Sequence, residues 1–186
     1  YNLAVRNIIQ ANNPNTIAVG ENLLITQNNY SSSPQLMNGD FGRVLDVLSQ
    51  PKDVTISFIV SERDMNSIPN KSNILLNRAN KTVRINFRFR EIRLEVESSN
   101  GILEEIRILV LENMLFDDSA RLSSIEQRAL YINFRDRFRA INSNINKDDY
   151  KEKFKEELRV DPYFNALRTK FGYAITCHKA QGGEWD

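Results

Sequence analysis

The chain's densest set of chemically able side chains lies between Tyr173 and Asp186. Thr176 offers a hydroxyl, His178 an imidazole, Lys179 an ammonium, Gln181 an amide and Glu184 a carboxylate, with Gly182-Gly183 letting backbone approach a ligand closely. The apolar run that leads in, Phe171 to Ile175, reads as a buried strand bounded by glycine. Polar groups just past the C-terminal end of such a strand stand where open α/β sheets bind ligands. On strand parity Ala174, Thr176 and His178 share one face, and Ile175, Cys177 and Lys179 the other. Cys177 and His178 therefore point apart and do not make a nucleophilic pair. The bland alternative is that His178 and Lys179 only cap a surface turn.

Composition narrows the classes. Cys177 and His178 are the sole cysteine and histidine, which excludes an internal disulfide and histidine- or cysteine-cluster zinc sites. A net charge of +1 gives no global field toward nucleic acid or membrane, so any such contact must come from local patches. No apolar stretch has membrane-spanning length, so no membrane partner is expected. The start lacks an initiator Met and a signal peptide; with the abrupt end, this reads as a piece of a larger cytoplasmic protein, with a nuclear or phage-encoded source as the alternative.

The elements that must position the cluster follow in order. Leu3 to Gln10 has a short helical pattern on Leu3, Val5, Ile8 and Ile9, and Asn12-Asn13-Pro14-Asn15 ends it. Gly20-Glu21-Asn22 is a turn, Leu23 to Thr26 a strand, and Ser31-Ser32-Ser33-Pro34 a loop. Asn28, Asn29 and Tyr30 are either turn chemistry or part of a motif. Asn38-Gly39 is a hairpin signal, so the segments beside it should pair, with Arg43 to Leu48 as the second strand. Val54 to Val60 alternates as a strand, and residues 61–80 read as a long connection with one short element at Ile74-Leu75-Leu76.

Residues 83–111 carry the clearest strand signal. Apolar parity flips between Phe89 and Ile92, which predicts a bulge or turn. Asn100-Gly101 marks the next hairpin. Arg84, Arg88 and Arg90, with Arg93 nearby, make either a basic face that tracks nucleic acid or a solvated face neutralised by Glu91, Glu95 and Glu97. After Asp117 the period becomes helical. Ser123 to Gln127 has capping-box spacing, with a stripe of Leu130, Phe134, Phe138 and Ile141 behind it. A second helix carries Tyr150, Phe154 and Leu158. Asp161-Pro162 opens a short helix through Leu167. The expected architecture is α+β: a small antiparallel β-barrel or strongly twisted sheet with an appended helical segment.

Tyr173-Ala174-Ile175-Thr176-Cys177-His178-Lys179-Ala180-Gln181-Gly182-Gly183-Glu184-Trp185 resembles motif V of superfamily 1 DNA helicases of the RecD-like, UvrD C-terminal type. That pattern runs Tyr-Ala-(Ile/Val)-Thr-x-His-Lys-(Ser/Ala)-Gln-Gly-x-Glu-aromatic. Asn28-Asn29-Tyr30, a loop, then Asn38-Gly39-Asp40-x-Gly42-x-Val44 is similar to the segment that opens the inserted barrel there. Asn2-x-x-x-Arg6 resembles the region after motif IV.

The resemblance implies residues 1–18 and 170–186 as part of the second RecA-like α/β domain, 19–116 as an inserted Src-homology-3-like β-barrel that contacts DNA or acts as a wedge, and 117–169 as the helical segment of that insertion. It implies that Thr176, His178 and Lys179 contact single-stranded DNA, and that Gln181, Gly182 and Glu184 face the nucleotide. The parent would be an ATP hydrolase using ATP and Mg²⁺, with single-stranded DNA or a DNA junction and the first RecA-like domain as partners. The sequence has no Gly-x-x-x-x-Gly-Lys-(Ser/Thr), so this chain alone is expected to be inactive. The alternative is a non-catalytic nucleic-acid or protein interaction module.

Overall fold

A computed structural model describes residues 2–10, 16–98, 100–119, 121–144 and 146–173. The chain is α+β, built on a curled antiparallel sheet. Its strands are β1 (Asn22–Ile25), β2 (Phe41–Val47), β3 (Lys52–Ile59), β4 (Ile74–Asn77), β5 (Thr82–Glu97), β6 (Leu103–Leu111) and β7 (Thr169–Phe171). The helices are α1 (Asn2–Ile9), α2 (Glu62–Met65), α3 (Asn113–Phe116), α4 (Ser124–Ile141) and α5 (Lys147–Val160).

The 16-residue β5 is the spine. Its first half pairs with β3 on one side and β4 on the other, and its second half with β2 and β6. The parity flip occurs where the sequence puts it. Val83, Ile85, Phe87 and Phe89 are buried in the first half, and Ile92, Leu94 and Val96 in the second. The expected bulge is not in β5, however. The β5–β6 ladder keeps one register from Phe89↔Leu111 to Glu97↔Leu103, because β6 inverts at the same level, between Val110 and Leu111. The register shift falls in β2, between Val44 and Asp46.

One strand therefore walls two cores on opposite faces. The first half of β5 joins Ile56, Leu111, Met114, Leu122, Ile125, Ala129 and Leu130. The second half joins Leu23, Ile25, Leu36, Val44, Ile106, Leu115 and Phe171. Helix α3 serves both, sending Met114 to one and Leu115 to the other. The sheet runs β5-β2-β1-β7 around the second core. An isolated parallel bridge, Val110↔Leu167, crosses the open side from β6 to the residues leading into β7.

Local expectations fare unevenly. Ser123 and Glu126 form the full capping box of α4. The turn at Gly101, with φ of +72°, closes the β5–β6 hairpin. The strand partner of β2 is β1, across the 26–40 loop, and not the residues just before Asn38. Residues 61–80 contain two elements, α2 and β4. Ile141 leaves the α4 stripe and is 79% exposed, because the last turn of the helix runs past the core. Asp161-Pro162 starts one hydrogen-bonded turn and no helix: Asp161 Oδ1 accepts the Phe164 N–H at 2.7 Å, and the chain then extends into β7. In α1 it is Arg6 that is buried, while Ile8 and Ile9 face outward. Among the described residues no helix is long and apolar enough to cross a membrane.

Candidate nucleic-acid interface

Thr176, His178, Lys179, Gln181, Gly182 and Glu184 all lie outside the described residues. The structure does describe what leads into them. β7 pairs with β1, and the Gly172 N–H extends that ladder to the Asn22 carbonyl at 2.8 Å. A Cβ on Gly172 would come within 2.9 Å of the Phe41 ring and 3.2 Å of the Asn22 oxygen, so glycine is required by close approach. The Tyr173 hydroxyl then lies 3.5 Å from Glu21 Oε1.

Glu21 belongs to a buried pair. Arg6 Nε donates to its Oε1 at 2.6 Å and the Ala18 N–H to its Oε2 at 2.8 Å, while Arg6 also donates to the Thr16 carbonyl. The Arg6 guanidinium sits over the rings of Phe171, at 4.4 Å, and Phe116, at 5.4 Å. Burial raises the Glu21 carboxyl above its ordinary value despite Ala18 and Arg6. Burial and the nearby Glu21 carboxylate likewise raise the Tyr173 phenol. This pair ties α1, the turn before β1 and the exit from β7 into one anchor. The sequence marked Arg6 only through the Asn2-x-x-x-Arg6 resemblance and carried no signal for its pairing with Glu21, 15 residues away.

The 26–40 loop is organised by its asparagines. Asn28 Nδ2 donates to the Tyr30 hydroxyl at 2.7 Å, and Asn28 Oδ1 accepts the Asn38 N–H at 2.8 Å. Asn29 Oδ1 accepts from Ser31 N–H and Oγ, and its Nδ2 reaches the Asn165 carbonyl at 2.8 Å. Asn28 and Asn29 thus act as turn chemistry. The Tyr30 ring stays exposed with its hydroxyl held.

The arginines of β5 are largely neutralised. Arg88 forks onto Asp53 at 2.9 and 3.2 Å, Arg90 lies 3.2 Å from Glu112, and Arg93 is 3.7 Å from both Asp46 and Glu105. The Arg88 contact holds the Asp53 carboxyl below the usual carboxylate range. Glu91 pairs with Arg107, not with these arginines. Acids on neighbouring segments do the neutralising that Glu95 and Glu97 were expected to do. Arg84 alone of the four is exposed and pairs with no acid among the described residues, so the strand face does not present a run of unpaired cations.

A polar cleft of about 520 Å³ lies beside it, between the β4 approach and α3. Lys71 bridges Asp117 at 2.7 Å and Glu126 at 3.0 Å, and Asn73 donates to Glu126 at 3.1 Å. Burial would lower the Lys71 ammonium, but Asp117 and Glu126 outweigh it and raise it. These groups satisfy one another and join the loop before β4 to α4. Among the described residues no group of three or more His, Cys, Asp or Glu side chains could hold a metal.

No family model, no curated protein and no solved structure matches the chain.

Proposed function

We propose that the chain supplies motif V and an inserted barrel to an ATP-dependent superfamily 1 DNA helicase of the RecD-like, UvrD C-terminal type. The observation that carries the reading is the run Tyr173 to Trp185, in which side-chain types and spacing follow the motif nearly throughout. The Asn28 to Val44 pattern supports it, since it joins the first two strands of a curled antiparallel sheet. On this reading β1, β2, β5 and β6 are strands of a Src-homology-3-like barrel set into a RecA-like domain. Thr176, His178 and Lys179 take single-stranded DNA, since hydroxyl and cationic donors suit phosphate. Gln181, Gly182 and Glu184 face ATP, with the Glu184 carboxylate toward a ribose hydroxyl. Turnover of ATP with Mg²⁺ belongs to a chain that also carries a phosphate loop and the first RecA-like domain.

The test is DNA-stimulated ATP hydrolysis by the full-length protein. Gln181→Ala or Glu184→Ala should lower turnover by about tenfold or more, roughly 1.4 kcal/mol of transition-state stabilisation, with DNA binding retained. His178→Ala should lower stimulation by DNA and spare the basal rate. Wild-type hydrolysis in all three variants, or a parent protein that does not hydrolyse ATP, would refute the reading and leave an interaction module.

A further inference from the structure

Arg168 is a half-buried guanidinium whose hydrogen-bond partner is an amide. Its Nη1 donates to Gln27 Oε1, and no carboxylate among the described residues pairs with it. Buried cations are normally matched by an acid. Burial lowers the Arg168 pKa, yet a guanidinium stays charged at any physiological pH. Its backbone is fixed, because the Arg168 carbonyl accepts the Thr26 N–H at 2.9 Å and Oγ1 at 3.0 Å. The residue lines a small recess of about 140 Å³ beside Gln27, Asn28 and Gln127. Those three residues also line an open cleft of about 1070 Å³ between the 26–38 loop and the helices.

Two further arginines stand in that larger cleft. Arg121, just before α4, and Arg159, in the last turn of α5, are both exposed and pair with no acid among the described residues. Glu156 is the sole carboxylate among the described lining residues. On the opposite wall Tyr30 is 64% exposed, its hydroxyl fixed by Asn28, with the Gln35 amide nearby. Cations and an exposed aromatic platform around one cleft are how single-stranded nucleic acid is gripped without reading sequence.

We infer that this cleft binds single-stranded nucleic acid, with backbone phosphates on Arg168, Arg121 and Arg159 and a base stacked on Tyr30. This rests on the helicase reading only for the expectation that a strand is present. The site itself joins the barrel loop to the helical segment and contains none of the residues after Tyr173. An acidic protein segment would use the arginines but not the ring.

The test is anisotropy of a labelled deoxythymidine 12-mer titrated with the whole chain at several salt concentrations. Arg121→Glu/Arg159→Glu should weaken binding tenfold or more. It should also flatten the slope of log K against log[salt] by about 1.4, at roughly 0.7 for each phosphate no longer neutralised. Tyr30→Ala should cost about fivefold or more, the lower end for one stacked base. Arg78→Glu, in the turn between β4 and β5, should stay within about twofold, as expected of a surface change outside the site. Arg168→Lys, which keeps the charge and loses the fork, should lie between. Wild-type binding by the Arg121/Arg159 and Tyr30 variants overturns the inference, even if Thr176→Ala/His178→Ala/Lys179→Ala binds poorly; the helicase reading would then stand on its ATPase test. Displacement of the 12-mer by polyglutamate, with Tyr30→Ala indistinguishable from wild type, would also overturn it in favour of an acidic protein partner.

Discussion

Arg6 and Glu21 meet at 2.6 Å, with neither side chain exposed to solvent. Their contact ties α1 by charge to the turn before β1, and the Arg6 guanidinium covers the Phe171 ring at the end of β7. Removing one partner strands the other in a desolvated site. Glu21→Gln or Arg6→Met should each destabilise the chain by about 3–5 kcal/mol in urea unfolding. The double variant Arg6→Met/Glu21→Leu should cost much less than the sum. Additive losses would show that the pair does not act as a unit.

Glu126 makes the acid side of stability measurable. Burial alone would raise its carboxyl, but the Ser123 hydroxyl and N–H, Asn73 and Lys71 together hold it below the ordinary 4.5. A carboxyl lowered on folding adds stability above its unfolded value and loses it as pH falls through the folded one. Wild-type stability should therefore drop on acidification from about pH 4.5 downward, as the paired carboxylate is protonated. Glu126→Gln should be less stable at neutral pH and show a shallower fall in that window. Parallel pH profiles for the two proteins would remove Glu126 from this role.

Helix α5 is held to α4 by rings. Phe154 lies 5.0 Å from Phe134, 5.1 Å from Phe138 and 5.9 Å from Tyr131, centroid to centroid. Its partly exposed ring puts Phe154→Ala near the low end of the range for core aromatics, about 3 kcal/mol. The loss should be local: amides of residues 147–160 should exchange faster while those of β5 keep their protection. Uniform loss across both would mean that α5 is not a separable unit.

Gly42 opposes Val96 in the β2–β5 ladder, and a Cβ there would come within 2.7 Å of Leu94 Cδ2 and Cγ. Gly42→Ala should cost about 1–3 kcal/mol by overpacking. Shortening the neighbour should recover part of it, so Gly42→Ala/Leu94→Val should be more stable than the summed costs of the two single variants would make it. Thermal melting of the four proteins reads the coupling directly.

What the sequence made legible was local and periodic. Alternation in residues 83–111, the turn at Gly101 and the Ser123 capping box are each set by neighbours a few residues apart, and each stands in the structure as read. What stayed hidden depends on distant partners. The parity flip in β5 needs no bulge there, since β6 inverts beside it, and no window on one strand could show that. Asp161-Pro162 has good helix-start chemistry. The alternation of Leu167, Thr169 and Phe171, all buried, wins because β6 and β1 supply backbone partners. Arg168 sits on the other parity of that same segment, and only the fold reveals that its neighbours are amides. The motif residues after Tyr173 were legible as chemistry, and they lie outside the described residues.

The shared wall of β5 has a consequence for how the molecule comes apart. Phe89 and Ile92 are nearly adjacent in the chain, yet each is sealed into a different core. Pulling β5 away from either set of partners strips the other of its lining within the same few residues. The two cores should therefore melt in a single transition, coincident by near-ultraviolet and far-ultraviolet circular dichroism, although their side chains barely meet.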